Sequence, residues 1–149
     1  MLQMFPLLAI SLIVYAVLTL SQVADVPTAV GVGETGTERW FDIVFVTLPM
    51  YSDDEWAITW GDVFLVGSMG LLFVELIRAT QTATASLINH GLSFTLFIIV
   101  LLAFILAPGF GNSVFFIYLC MTLLDPMAGF IVTTVTARRD FAVTEGVGR

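Results

Sequence analysis

Few side chains in this sequence can do acid–base or ligand chemistry, and several of those lie inside apolar runs. The most unusual is Asp125, directly before Pro126 in Leu123-Leu124-Asp125-Pro126-Met127. An acid at the middle of an apolar span is costly unless something satisfies it, and such residues mark ion paths, proton relays or helix contacts. Glu75 and Arg78 stand three residues apart in a second run, the spacing of a direct pair on a helix. Asn89 and His90 adjoin in a third run, with Ser86 and Ser93 nearby. Thr122 precedes Asp125 by about one helical turn, and Pro126 frees the Thr122 carbonyl by lacking an N–H.

Three chemistries fit this set. In the first, Asp125 is a protonated acid hydrogen-bonded to Thr122, Asn89 or the freed carbonyl, within a structural polar network. In the second, Arg78, Glu75, His90 or Asn89, and Asp125 form a path for protons or a solute. In the third, Asp125 docks another membrane subunit. The sequence ranks the structural network first. Catalytic and metal chemistry find less support. There is one His and one Cys, Cys120, so neither a transition-metal centre nor a haem is expected from this chain alone. Cys120 lies in an apolar run and reads as a small core residue. No nucleophile–base order or phosphate loop is present, so no enzyme and no cofactor are expected. Gly31-x-Gly33-x-x-Gly36 has dinucleotide spacing but precedes no clear helix and is set aside.

The elements that must position these residues are membrane spans. The 149-residue chain is 58% hydrophobic and only 11% charged, and its mean hydropathy is +1.01. Soluble domains carry about 25% charged residues. The net charge is −7, with five Arg and no Lys, so no basic patch exists to follow nucleic acid. Four apolar runs read as spans at about 2–20, 61–78, 86–107 and 113–137, because about 20 residues cross the hydrocarbon core. The first competes with a cleaved signal peptide, but it lacks a basic n-region and a good cleavage site. Residues 1–141 thus form one transmembrane domain, and 142–149 a flexible tail.

Between the first two runs lies an outer loop, 21–60, Gly-rich at 30–36. Trp40 to Pro49 and Trp56 to Trp60 are rich in β-branched and aromatic residues around an acidic turn, which reads as a β-hairpin. An amphipathic surface helix is the other reading. Trp40, Tyr51, Trp56 and Trp60 are expected at the membrane–water boundary, resting on the bilayer or docking a partner. A short polar turn, 80–85, and the break Pro108-Gly109-Phe110-Gly111-Asn112 separate the later runs. Arg78, Arg138 and Arg139 then fall on one side, which the positive-inside rule makes cytoplasmic, with both termini.

At 100° per residue, Tyr118, Thr122, Asp125, Gly129, Thr133 and Thr136 share one face of the fourth run. Leu119, Leu123, Leu124, Met127, Phe130 and Ile131 share the other. Gly129, Thr133 and Ala137 also make a small-residue row that allows close helix approach. Asp125 is therefore expected to point into the bundle. In the second run Gly67, Ser68, Leu71, Glu75 and Arg78 share a side.

Met1-Leu2-Gln3-Met4-Phe5-Pro6-Leu7, Ile58-Thr59-Trp60-Gly61-Asp62, Ile88-Asn89-His90-Gly91-Leu92-Ser93, Pro108-Gly109-Phe110-Gly111 and Ala137-Arg138-Arg139-Asp140-Phe141 carry a resemblance. Together they resemble a family of small four-span inner-membrane proteins of proteobacteria, of uncharacterised activity, over nearly the whole chain. That resemblance implies a bacterial inner-membrane location. The combined expectation is an all-α four-transmembrane-helix bundle with an extracytoplasmic hairpin between helices 1 and 2. Its role would be that of an accessory, scaffold or assembly protein binding the bilayer and other membrane subunits or itself. The alternative is a small transporter or proton-conducting module using Asp125 with His90 and Glu75.

Overall fold

The structure, a computed structural model, describes residues 6–25, 39–79 and 85–146 and, within them, the side chains of 6–22, 39–78, 89–131 and 134. Four helices and one antiparallel hairpin follow in the order α1 (Leu8–Asp25), β1 (Val44–Pro49), β2 (Glu55–Thr59), α2 (Trp60–Ala79), α3 (Ala85–Leu106) and α4 (Ser113–Gly146). Three of the helices hold windows long and apolar enough to cross a membrane: Trp60–Arg78, Asn89–Leu106 and Ser113–Ile131. The apolar part of α1, Leu8–Gln22, is shorter. It therefore matches only part of the span expected at 2–20, whose first residues lie outside the described ones. So do the Gly-rich stretch at 30–36 and most of the polar turn at 80–85.

The hairpin forms where its aromatic and β-branched residues sit. Val46 pairs with Ile58, Thr47 with Ala57, Leu48 with Trp56 and Pro49 with Glu55, and the register shifts between Val44 and Val46. That shift leaves Phe45 free to meet the Trp60 ring at 4.8 Å. The turn closes through Met50 N to Asp54 O at 2.8 Å and Asp53 N to Met50 O at 3.2 Å. Asp53 takes φ 63° there, a left-handed conformation that Asp tolerates better than most residues. Pro49 ends β1, as its missing N–H requires.

α2 and α4 are each entered through a side-chain cap. Thr59 Oγ1 accepts the Asp62 N–H at 3.2 Å, while Asp62 Oδ2 accepts the Thr59 N–H at 2.8 Å. This reciprocal pair is a capping box that joins β2 to α2 without a loop. At the other connection, Gly109 has φ 87°, which turns the chain after α3. Asn112 Oδ1 then accepts the Phe115 N–H at 3.0 Å and starts α4.

The core is layered. At the hairpin end the Tyr15 ring is fully buried among Trp40, Phe64, Phe110 and Phe115, with centroids 4.7–5.9 Å apart. Trp40 is 8% exposed, and its indole N–H donates to Thr19 Oγ1 at 3.1 Å. This corrects the surface role expected of Trp40: the apolar rings of 39–41 fold back onto α1 and join the core, whereas Tyr51, Trp56 and Trp60 remain exposed. Thr19→Val should strand the buried indole N–H and cost about 1–2 kcal/mol, read as a lower thermal midpoint by Trp fluorescence. Below this layer Leu8, Leu96, Val100 and Tyr118 pack between the helices.

Three further expectations change. Cys120 is exposed rather than a core residue, because it falls on the outward side of α4, one turn before Leu124. Leu119 is buried although the helical wheel placed it outward, since α2 and α3 both pack against α4. The helix α4 continues to Gly146, nine residues beyond the expected span, which places most of the expected tail in the helix. Arg138, Arg139 and Asp140 end an apolar run but are compatible with helix, and Gly146 is the first strong breaker after Gly129.

Candidate functional site: a buried polar cluster between three helices

Away from the hairpin, polar side chains converge from α2, α3 and α4. Asp125 is 1% exposed and Glu75 2% exposed. Ser93 and His90 of α3 face Asp125. Asn89, one turn along from Ser93, lies beside Glu75, and the two acids are near enough to interact through charge. Ser93 and Asn89 are themselves buried. The helix spacing explains the convergence, since Asn89 and Ser93 are four apart on the face of α3 that meets α4.

Among the described residues no donor lies in hydrogen-bond geometry to either oxygen of Asp125. The Oγ of Ser93 and the Oδ1 of Asn89 also lack partners there. Thr122 does not fill the gap. It is buried, but its hydroxyl donates to its own helix at Leu119 O, 2.8 Å away. The expected Asp125–Thr122 bond is thus replaced by a bond between Thr122 and the preceding turn, a habit of Thr in helices.

Glu75 is partnered differently from expectation. It turns inward and does not reach for Arg78, which is exposed. Its Oε2 accepts the N–H of Leu8 at 3.4 Å. Tyr118 completes the clamp by donating its O–H to Leu8 O at 2.6 Å. Leu8 opens α1, and the first N–H groups of a helix need outside acceptors. A carboxylate there also complements the positive end of the helix dipole. Glu75 and Tyr118 therefore fix the buried start of α1, while Gln22 accepts the Trp40 N–H at 2.8 Å at the far end.

His90 links the cluster to the outside. Its ring lies where a Cβ on Gly129 would be, so only Gly at 129 admits it. On its other side it lines a groove of about 580 Å³ between α3 and α4, with Phe94, Pro126, Met127 and Phe130. Of the small-residue row, Gly129 is thus a socket for a ring as well as a helix contact. The structure brings Asp125, Glu75, Asn89 and His90 together, sets Thr122 beside them on its own helix, and leaves Arg78 outside.

Sequence reasoning missed the Tyr15–Asn112 contact, in which Asn112 Nδ2 donates to Tyr15 Oη at 2.7 Å. It also missed the Leu8 backbone as the partner of Glu75. Asn112 carried a signal, as an N-cap residue before an apolar run. A backbone amide carries none.

No family model, no curated protein and no solved structure matches the chain.

Proposed function

We propose that this chain is an integral protein of the bacterial inner membrane, non-enzymatic, that serves as an accessory or assembly subunit. In this reading α2, α3 and α4 cross the bilayer, and α1 is inserted beside them with its buried start held by Glu75 and Tyr118. The hairpin lies outside, and Arg78, Arg138 and Arg139 lie on the cytoplasmic side with both termini. The location rests on the resemblance read from the sequence segments alone. The outward faces carry Val66, Phe73, Leu106, Leu124 and Phe130, all well exposed, which suits contact with lipid chains.

The observation that carries the docking role is the hairpin. Every residue of β1 is exposed, and Phe45, Leu48, Met50, Tyr51 and Trp56 stand on the surface beyond the helices. A two-stranded hairpin is marginal alone in water, and apolar patches of this kind mark protein or membrane contacts. Replacing Tyr51 and Trp56 together by Ala should remove companions that co-purify from native membranes in mild detergent. Recovery of a lone monomer from both native and variant protein would contradict the docking role.

A second reading is favoured by the orphaned oxygens of Asp125 beside His90 and Glu75: a small proton-conducting or solute-transporting module. Proteoliposomes with a pH-sensitive dye test it. Asp125→Asn should abolish flux, and equal flux in native and variant protein removes Asp125 from any such role.

A further inference from the structure

We propose that Asp125, Ser93, Asn89 and Glu75 form a binding site for one alkali cation inside the bundle. The inference concerns occupancy of the cluster and stands whether or not ions move through it, and whether or not the hairpin docks a partner.

The donor set is all oxygen. Asp125 offers two carboxylate oxygens without a donor among the described residues, Ser93 a hydroxyl oxygen and Asn89 an amide oxygen, both unpartnered. Ser93 is 1% exposed and Asn89 8% exposed, so water at the surface cannot serve them. Ser93 lies close to Asp125, outside good hydrogen-bond geometry, and Asn89 sits beside Glu75. Each buried oxygen costs free energy while it lacks a partner. One cation satisfies several at once. Hard cations take carboxylate, amide and hydroxyl oxygens, whereas soft metals seek sulfur and imidazole.

Charge sets the valence. The carboxylate of Glu75 already faces the start of α1 through the Leu8 N–H, where the helix supplies about half a positive charge. Asp125 has no donor in hydrogen-bond geometry among the described residues, which leaves one anion to balance. Calcium takes about 6–8 oxygens, commonly from several carboxylates. Among the described residues no group of three or more His, Cys, Asp or Glu side chains is placed to share a metal ion. A single positive charge therefore fits better than two.

The test is the thermal midpoint of the full-length protein in detergent, in sodium or potassium chloride against choline chloride at equal ionic strength. Sodium or potassium should raise the midpoint saturably, by about 5–10 °C once the ion reaches roughly 100 times its dissociation constant. Asp125→Asn should abolish the ion-dependent rise. Ser93→Ala, a milder change, should keep the fold and shift half-saturation upward roughly tenfold. Equal midpoints in all three salts would overturn the proposal. So would a full rise retained in Asp125→Asn, or a rise with micromolar calcium that sodium and potassium do not produce.

Discussion

Tyr15→Ala should destabilise the bundle by about 3–5 kcal/mol, the usual cost of removing a large buried aromatic ring. Tyr15 is fully buried, and its ring lies 4.7 Å from Phe115, 5.2 Å from Trp40 and 5.2 Å from Phe64. Those neighbours come from α4, the segment after α1, and α2, so one ring joins three parts of the chain. Its hydroxyl accepts from Asn112, the residue that caps α4. Tyr15→Phe should cost only about 1 kcal/mol, because the amide of Asn112 also donates to Gly109 O at 3.1 Å. Detergent unfolding followed by tryptophan emission measures both, with Trp40 as the nearest reporter. A loss below about 1 kcal/mol for Tyr15→Ala would mean that this aromatic layer does not hold α1 in place.

Gly129→Leu should cost about 3 kcal/mol, at the upper end for inserting bulk into a packed interface. A Cβ at 129 overlaps the His90 ring. That ring is the far end of a flexible side chain, so Gly129→Ala displaces His90 and should cost only about 1 kcal/mol. Leu fills the socket and must separate α3 from α4. Gly91→Ala is the matched control, since a Cβ there meets nothing within 4 Å and Ala favours helix over Gly. Combining Gly129→Leu with His90→Ala should restore part of the loss, and the double-mutant cycle measures that coupling. Additive losses would show that the two residues do not share a space.

Much of this arrangement can be read from residue types alone. Apolar runs bounded by Pro108-Gly109 and by charged residues define the helices, because breakers and charges act locally. The hairpin is legible because β-branched and aromatic residues flank a turn-forming acidic cluster. The inward direction of Asp125 follows from helical period, and its 1% exposure agrees. What periodicity does not convey is the third dimension between helices. Arg78 is the obvious partner of Glu75 by spacing, but the Leu8 N–H lies 67 residues away in sequence and is chemically silent there. Trp40 has the composition of a boundary residue, and only the return of residues 39–41 onto α1 makes it a core ring. Cys120 and Leu119 adjoin, yet one is exposed and the other buried. Their difference is set by where α2 and α3 lie against α4, and that is a tertiary choice.

In the proposed arrangement α2, α3 and α4 cross a bilayer, with Glu75 and Asp125 buried among them at membrane depth. Cys120 offers a direct measurement, because it is the only cysteine and is exposed on the outside of α4. A membrane-impermeant maleimide should leave Cys120 unlabelled in intact membrane vesicles and label it fully once detergent and denaturant are added. In a Cys120→Ser background, Tyr51→Cys at the hairpin tip should label in vesicles that present the outer side. Labelling of Cys120 in intact vesicles at the rate of Tyr51→Cys would place that face of α4 in water and contradict the membrane-embedded bundle.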